Sequence, residues 1–172
     1  MMKLKLSEIE SIAEIIGAVA IVVSLIYVGI QVRDSTLAVR SATATETSAA
    51  MSELYLSIGT NSQAAQVFLD GITNPDSLSR EETAQFIYML HGLFLKYQAA
   101  YYVSEQGTLD VEMRESLVNT VLGICRQPGF LKYWSQRRDV FKASFRTFVD
   151  DLVASGKTNE NLEQLYEPRA QQ

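Results

Sequence analysis

Ile15 to Val32, IIGAVAIVVSLIYVGIQV, is a run of 18 residues without a charge, and its reading decides the fold. At a rise of about 1.5 Å per residue, a helix of this length reaches roughly 27 Å. That is close to the hydrocarbon core of a bilayer, roughly 30 Å. A buried helix of a globular protein rarely keeps so many uncharged positions in a row. A cleaved signal peptide has a short basic opening and an apolar stretch of about 7–15 residues. Here Lys3 and Lys5 are accompanied by Glu8, Glu10 and Glu14, and the nearest small-x-small pattern, around Ala42 and Ala44, falls well past the run. The expectation is a retained transmembrane helix surrounded by membrane lipid. A buried core helix and a cleaved signal are the two alternatives.

Small and polar residues in this helix form a stripe on one face, and the rest of its surface is Ile, Val and Leu with Gly29 as the main exception. Glu10, Ala13, Gly17, Ala20, Ser24, Tyr27, Gln31 and Asp34 alternate in steps of three and four, a heptad rhythm. In lipid, one apolar helix gains nothing hydrophobic by pairing with another; close backbone approach and interhelical hydrogen bonds drive association. Ala13, Gly17, Ala20, Ser24, Tyr27 and Gln31 are therefore the candidate association face, for a second copy or for a subunit of a larger membrane complex. The alternative is chance, because small residues are common in membrane helices. No Gly or Pro interrupts the chain between Gly29 and Gly59, and the stripe continues through Ala38, Ser41, Thr45, Ser48 and Ser52. The pattern predicts that residues 1–33 carry the flank and span, and that 34–59 prolong the same helix as a stalk. A flexible Ser/Thr-rich linker competes with that reading. Orientation is nearly balanced, with Lys3 and Lys5 on one side and Arg33 and Arg40 on the other. Arg33 at the membrane edge tips the balance towards a cytoplasmic C-terminal domain.

About 140 residues follow the span, enough for one domain with a core. The formal charge is −5 and the isoelectric point about 4.9. That argues against nucleic acid as a partner, since such binding releases phosphate counterions to Lys and Arg. No polybasic cluster follows the span to hold an anionic lipid surface. The single cysteine, Cys125, excludes an intramolecular disulfide, suits a reducing compartment, and reads as a buried thiol.

Between residues 60 and 155 the chain reads as a helical bundle. A short helix is expected over Ser62–Asp70, closed by Gly71, with a turn at Asn74–Pro75. Ser79 and Glu82 form a capping-box pair that opens a long helix. Phe86, Leu90, Leu93, Tyr97 and Tyr101 mark its buried face, and Gly107 its stop. Asp110 caps the next helix, with Met113, Leu117, Val121 and Ile124 on one side and Gln127-Pro128-Gly129 at its end. Phe130–Trp134 and Val140–Val153 complete a helical pair, and residues 156–172 read as a polar, fraying tail. No alternating strand pattern occurs. The expected class is all-α.

Catalytic patterns are missing. A di-iron bundle needs two Glu-x-x-His motifs, zinc needs clustered Cys and His, and the chain holds one of each, Cys125 and His91. Neither phosphate-cradling glycine motif occurs. Glu81–Glu82 suits a helix N-terminus, and Asp150–Asp151 reads as a solvated face. His91 is expected to be half-buried and hydrogen-bonded, with a ligand or pH-sensing role as its rival. Tyr88, Tyr97, Tyr101 and Tyr102 read as core residues before they read as a ligand pocket. Arg126, Arg137 and Arg138, near Trp134, form a basic cluster and a candidate contact for an anion or a partner. Otherwise their stems cover apolar surface. No catalytic, cofactor-binding or metal-binding residue is assigned, and no cofactor is expected.

The segment Glu14–Arg33 combines an acidic start, a Gly-Ala-rich apolar helix, Leu25-Ile26-Tyr27 and Gln31-Val32-Arg33. With Tyr101-Tyr102, Gly107-x-Leu109-Asp110, Pro128-Gly129, Trp134 and Phe145-x-x-Phe148, it resembles a family of small uncharacterised bacterial membrane-anchored proteins. Lys3 and Lys5 depart from that pattern. The resemblance implies a single-pass protein with a helical domain, and it implies no activity; the expected location is the bacterial inner membrane. The functional expectation is a non-enzymatic membrane protein that associates through its stripe and presents a helical scaffold. An oligomeric pore, or a tethered sensor with a tyrosine-rich pocket, are its rivals.

Overall fold

The structure, a computed structural model, describes residues 6–163 and Tyr166. All regular elements among them are helical. The first helix, α1, runs without a break over Leu6–Gly59, so the Ser/Thr-rich stretch continues the helix and is not a flexible linker. The chain divides into two units, one up to Ser41 and one from Ala42. In the first unit every described side chain, from Ala13 onwards, is exposed. That includes Ile21 at 63% and Leu25 at 66%. Apolar side chains exposed on every side of a helical stretch of this length are unlike a globular core helix, whose apolar stripe is covered.

The second unit is a helical bundle. Within it, α1 turns Thr43, Thr47, Met51 and Leu54 inwards, and Met51 and Leu54 pack on the core. Thr45, Ser48 and Ser52 face out. Helix α2 (Ser62–Thr73) starts where the Asn61 side chain accepts from Ala64 N at 3.0 Å. It does not stop at Gly71 as expected, but runs to Thr73 and ends just before Pro75, whose ring disfavours helical backbone in the residue it follows. Gly71 is a packing glycine: a Cβ there would lie 2.9 Å from Phe86 Cε2.

Helix α3 (Arg80–Glu105) opens with the expected capping box. Ser79 N donates to Glu82 Oε2 at 2.9 Å, and Glu82 N donates to Ser79 Oγ at 3.3 Å. The same bonds hold the Glu82 carboxyl below its ordinary pKa, the Ser79 backbone amide most of all. Helix α3 ends ahead of Gly107, whose φ of +71° is a left-handed stop. Asp110 caps α4 (Val111–Leu122) by accepting from Glu112 N at 2.8 Å. Helix α4 is shorter than its apolar spacing suggests, and Ile124 lies beyond it, buried in the turn towards α5. Pro128 does not only end the preceding segment; it occupies the first turn of α5 (Pro128–Arg137), where its missing N–H costs nothing. A 3₁₀ turn over Arg138–Val140 leads to α6 (Ala143–Ala154).

The core is aromatic. Phe94, fully buried, contacts the rings of Tyr97, Phe130, Tyr133, Trp134, Phe141 and Phe145 at centroid distances of 5.1–6.4 Å. Burying one such side chain contributes about 2–3 kcal/mol. The tail departs from expectation. After Gly156 (φ +64°), α7 (Glu160–Glu163) sets Leu162 over Gly123, and Tyr166 packs on the core. The last residues of the expected tail, like Lys3, Lys5 and the Glu10 side chain, lie outside the described residues.

Candidate functional site

The stripe lies on a helix whose apolar window is 0% buried and which is long and apolar enough to cross a membrane. Ala13, Gly17, Ala20, Ser24, Tyr27 and Gln31 are all exposed. A Cβ built on Gly17 meets nothing within 4 Å, so that glycine is not required by the packing of its own chain. Gln31 Nε2 donates to Tyr27 Oη at 3.4 Å. These two polar groups thus lie one turn apart and share one hydrogen bond. Beside them Ile15, Ile16, Val19 and Val23 make a shallow apolar surface with Ala20, Ser24 and Tyr27.

In the bundle, α3 and α5 bring together what the sequence kept 42 residues apart. His91 Nδ1 and Tyr133 Oη are 2.8 Å apart, and the His91 ring lies 5.3 Å from that of Phe141. His91 is half-buried and hydrogen-bonded, as expected. Burial pushes the Tyr133 phenol well above its ordinary value, and the Arg137 charge opposes that rise. The neutral phenol can donate to Nδ1 or accept from it, as the imidazole tautomer dictates. Arg137, Tyr88, Ala84, Ile87 and Val140 line an open groove of about 330 Å³ beside His91.

The three arginines do not act as one cluster. Arg138 pairs with Asp150, which also accepts from Trp134 Nε1 at 2.8 Å. Asp150 is accordingly no solvated acid but the partner of two side chains; Asp151 next to it is exposed. Arg137 lies on the groove, while Arg126 is exposed in the connection between α4 and α5.

The tyrosines of α3 also part company. Tyr97 is buried and 3.1 Å from Tyr55 Oη of α1; burial, then the nearby Tyr55 and Tyr166, raises its pKa strongly. Tyr101 stacks on Phe148 at 4.7 Å. Tyr88 (75% exposed) and Tyr102 (52%) face out, so neither belongs to the core. Tyr102 carries Lys142 Nζ 4.6 Å from its ring centre. Cys125 is buried, with Sγ 3.5 Å from the Leu122 carbonyl oxygen. No group of three or more His, Cys, Asp or Glu side chains gathers among the described residues. The groove's Tyr133–His91 bond and the role of Asp150 carry no local motif; only the amphipathic spacing of α3 and α5 hints that they meet.

The fold thus defines an all-α protein with one candidate membrane-spanning helix. Comparison with protein families, curated proteins and solved structures finds no match for the chain.

Proposed function

We propose that the chain is a single-pass membrane protein without catalytic activity, which associates through its small-residue stripe and presents the bundle as an interaction scaffold. One observation carries this reading: the apolar helix is exposed on every side from Ala13 to Ser41, and Ala13, Gly17, Ala20 and Ser24 share one face, with Ala18 and Gly29 off it. Apolar area of that extent needs lipid or protein around it. The resemblance of Glu14–Arg33 to small bacterial membrane-anchored proteins supports an inner-membrane location, and Arg33 at the membrane edge supports a cytoplasmic bundle.

Crosslinking of the full chain in its membrane, followed by extraction in a gentle detergent and mass measurement, tests the reading. The wild type is expected to run as a multiple of its own mass or with another membrane subunit. Gly17→Ile with Ala20→Ile is expected to abolish that association, because bulk on the stripe holds the backbones apart. Unchanged association in the double variant overturns the proposal.

A further inference from the structure

The outer face of α3 carries a seam of uncharged residues that its own chain leaves uncovered except at Tyr102, where Lys142 Nζ lies 4.6 Å from the ring centre. Ala84, Tyr88, Gly92, Leu95, Ala99 and Tyr102 follow one another in steps of three and four, the rhythm of a helix–helix contact. Tyr88, Leu95 and Tyr102 are 75%, 45% and 52% exposed, and Ala84 and Ala99 are exposed too. A Cβ built on Gly92 meets nothing within 4 Å. From Ala84 to Tyr102 the seam runs about 27 Å.

Its order is close to palindromic about Leu95. Tyr88 and Tyr102 lie one heptad to either side, with the small residues Gly92 and Ala99 between. A second α3 laid antiparallel with Leu95 against Leu95 would set each Tyr88 against the other copy's Tyr102, and each small residue near a small one. Only a self-complementary surface serves both halves of a two-fold contact. One charge pair suits this register, although Lys142 over Tyr102 of the second copy comes to the same end. At the Tyr88 end, Arg137 lines the groove with His91 and Val140, and none of the ion pairs among the described residues includes it. The same register brings Glu105 of the second copy opposite Gln85, beside that groove. Glu105 is held only loosely at home, 3.7 Å from Arg114 with both side chains half exposed.

We infer that the outer face of α3 is a docking surface for a second copy of this chain, paired antiparallel about Leu95, with Arg137 of each copy meeting Glu105 of the other. The seam stands apart from the membrane stripe and does not depend on it.

Cysteine crosslinking of the full-length protein in detergent micelles tests both contact and register, with copper–phenanthroline as the oxidant. Leu95→Cys is expected to form a disulfide-linked dimer. Tyr88→Cys and Tyr102→Cys are expected to link when mixed, and neither alone. Gly92→Leu, whose Cβ meets nothing within 4 Å in its own fold, is expected to lower the Leu95→Cys yield about tenfold by filling the seam. A Leu95→Cys chain that stays monomeric, or a Tyr88→Cys chain that links to itself, overturns the pairing. The pattern is expected to persist with Gly17→Ile and Ala20→Ile also present. Its loss in that background alone would overturn the seam's independence while leaving the stripe reading intact.

Discussion

Gly129 shows how one hydrogen atom's worth of space can fix a fold. A Cβ at this position would run into the Gly71 carbonyl and come within 2.8 Å of Ile72 Cα. Backbone cannot swing aside as a side chain can, so α2 and α5 would have to separate. Gly129→Ala is expected to cost about 3 kcal/mol, read as a fall in the urea midpoint of the bundle. The sequence marks Pro128-Gly129 as a break and gives no sign of that contact, because the glycine's partner is 58 residues away. The tyrosines add a pH dependence. Tyr97 and Tyr133 are pushed well up by burial, and Tyr166 to about 12. Unfolded tyrosine ionises near ~10, so above that pH the unfolded chain releases protons that the folded chain still holds. The stabilisation is complete below ~10 and falls as pH rises towards the folded values. The urea midpoint is expected to drop between pH ~10 and ~12, and Tyr166→Phe is expected to lessen the drop. An unchanged midpoint over that interval would show these phenols to be open to water.

At the scale of elements, what could be read in advance followed distance along the chain. The Ser79–Glu82 box spans a single helical turn, and the sequence announces α3 at the correct residue. Ser79→Ala is expected to cost about 1 kcal/mol by orphaning one amide of the first turn, seen as a lower melting temperature. Asp110 and Gly107 were legible for the same reason. The join of α5 to α6 was not. Asp150 ties Trp134 and Arg138 together across the 3₁₀ turn, and nothing in the sequence separates it from its exposed neighbour Asp151. Asp150→Ala is expected to destabilise the bundle by about 2 kcal/mol, since it leaves the Trp134 N–H and Arg138 without their acceptor. Asp150→Asn keeps an acceptor for Trp134 and is expected to cost less than about 1 kcal/mol, because the ion pair is partly solvated. Trp134 is the only tryptophan, so its fluorescence reports the change directly. Equal losses for the two variants would mean that the ion pair, and not the indole bond, holds the join.

At the scale of the molecule, the sequence made the long helix legible because one run of composition, free of Gly and Pro after Gly29, carries it through Gly59. It could not place the core's far side, where Leu162 and Tyr166 return to the bundle from a segment that reads as polar tail. The proposed membrane anchoring gives a test at this scale. The bundle buries a core of its own apolar side chains, whereas the candidate span leaves Ile21 and Leu25 bare. Arginine at the centre of a membrane helix costs about 3 kcal/mol on insertion scales, and two such residues exceed what neighbouring Val and Ile return. Ile21→Arg with Leu25→Arg is expected to move the protein from the carbonate-washed membrane pellet to the supernatant. The urea midpoint of the bundle is expected to stay where it was, because Ile21 and Leu25 are not among the residues of its core. A double variant that remains in the pellet would place the site of anchoring elsewhere than Ile15–Val32. One that shifts the bundle's midpoint would mean that the exposed helix is held by the domain and not by lipid.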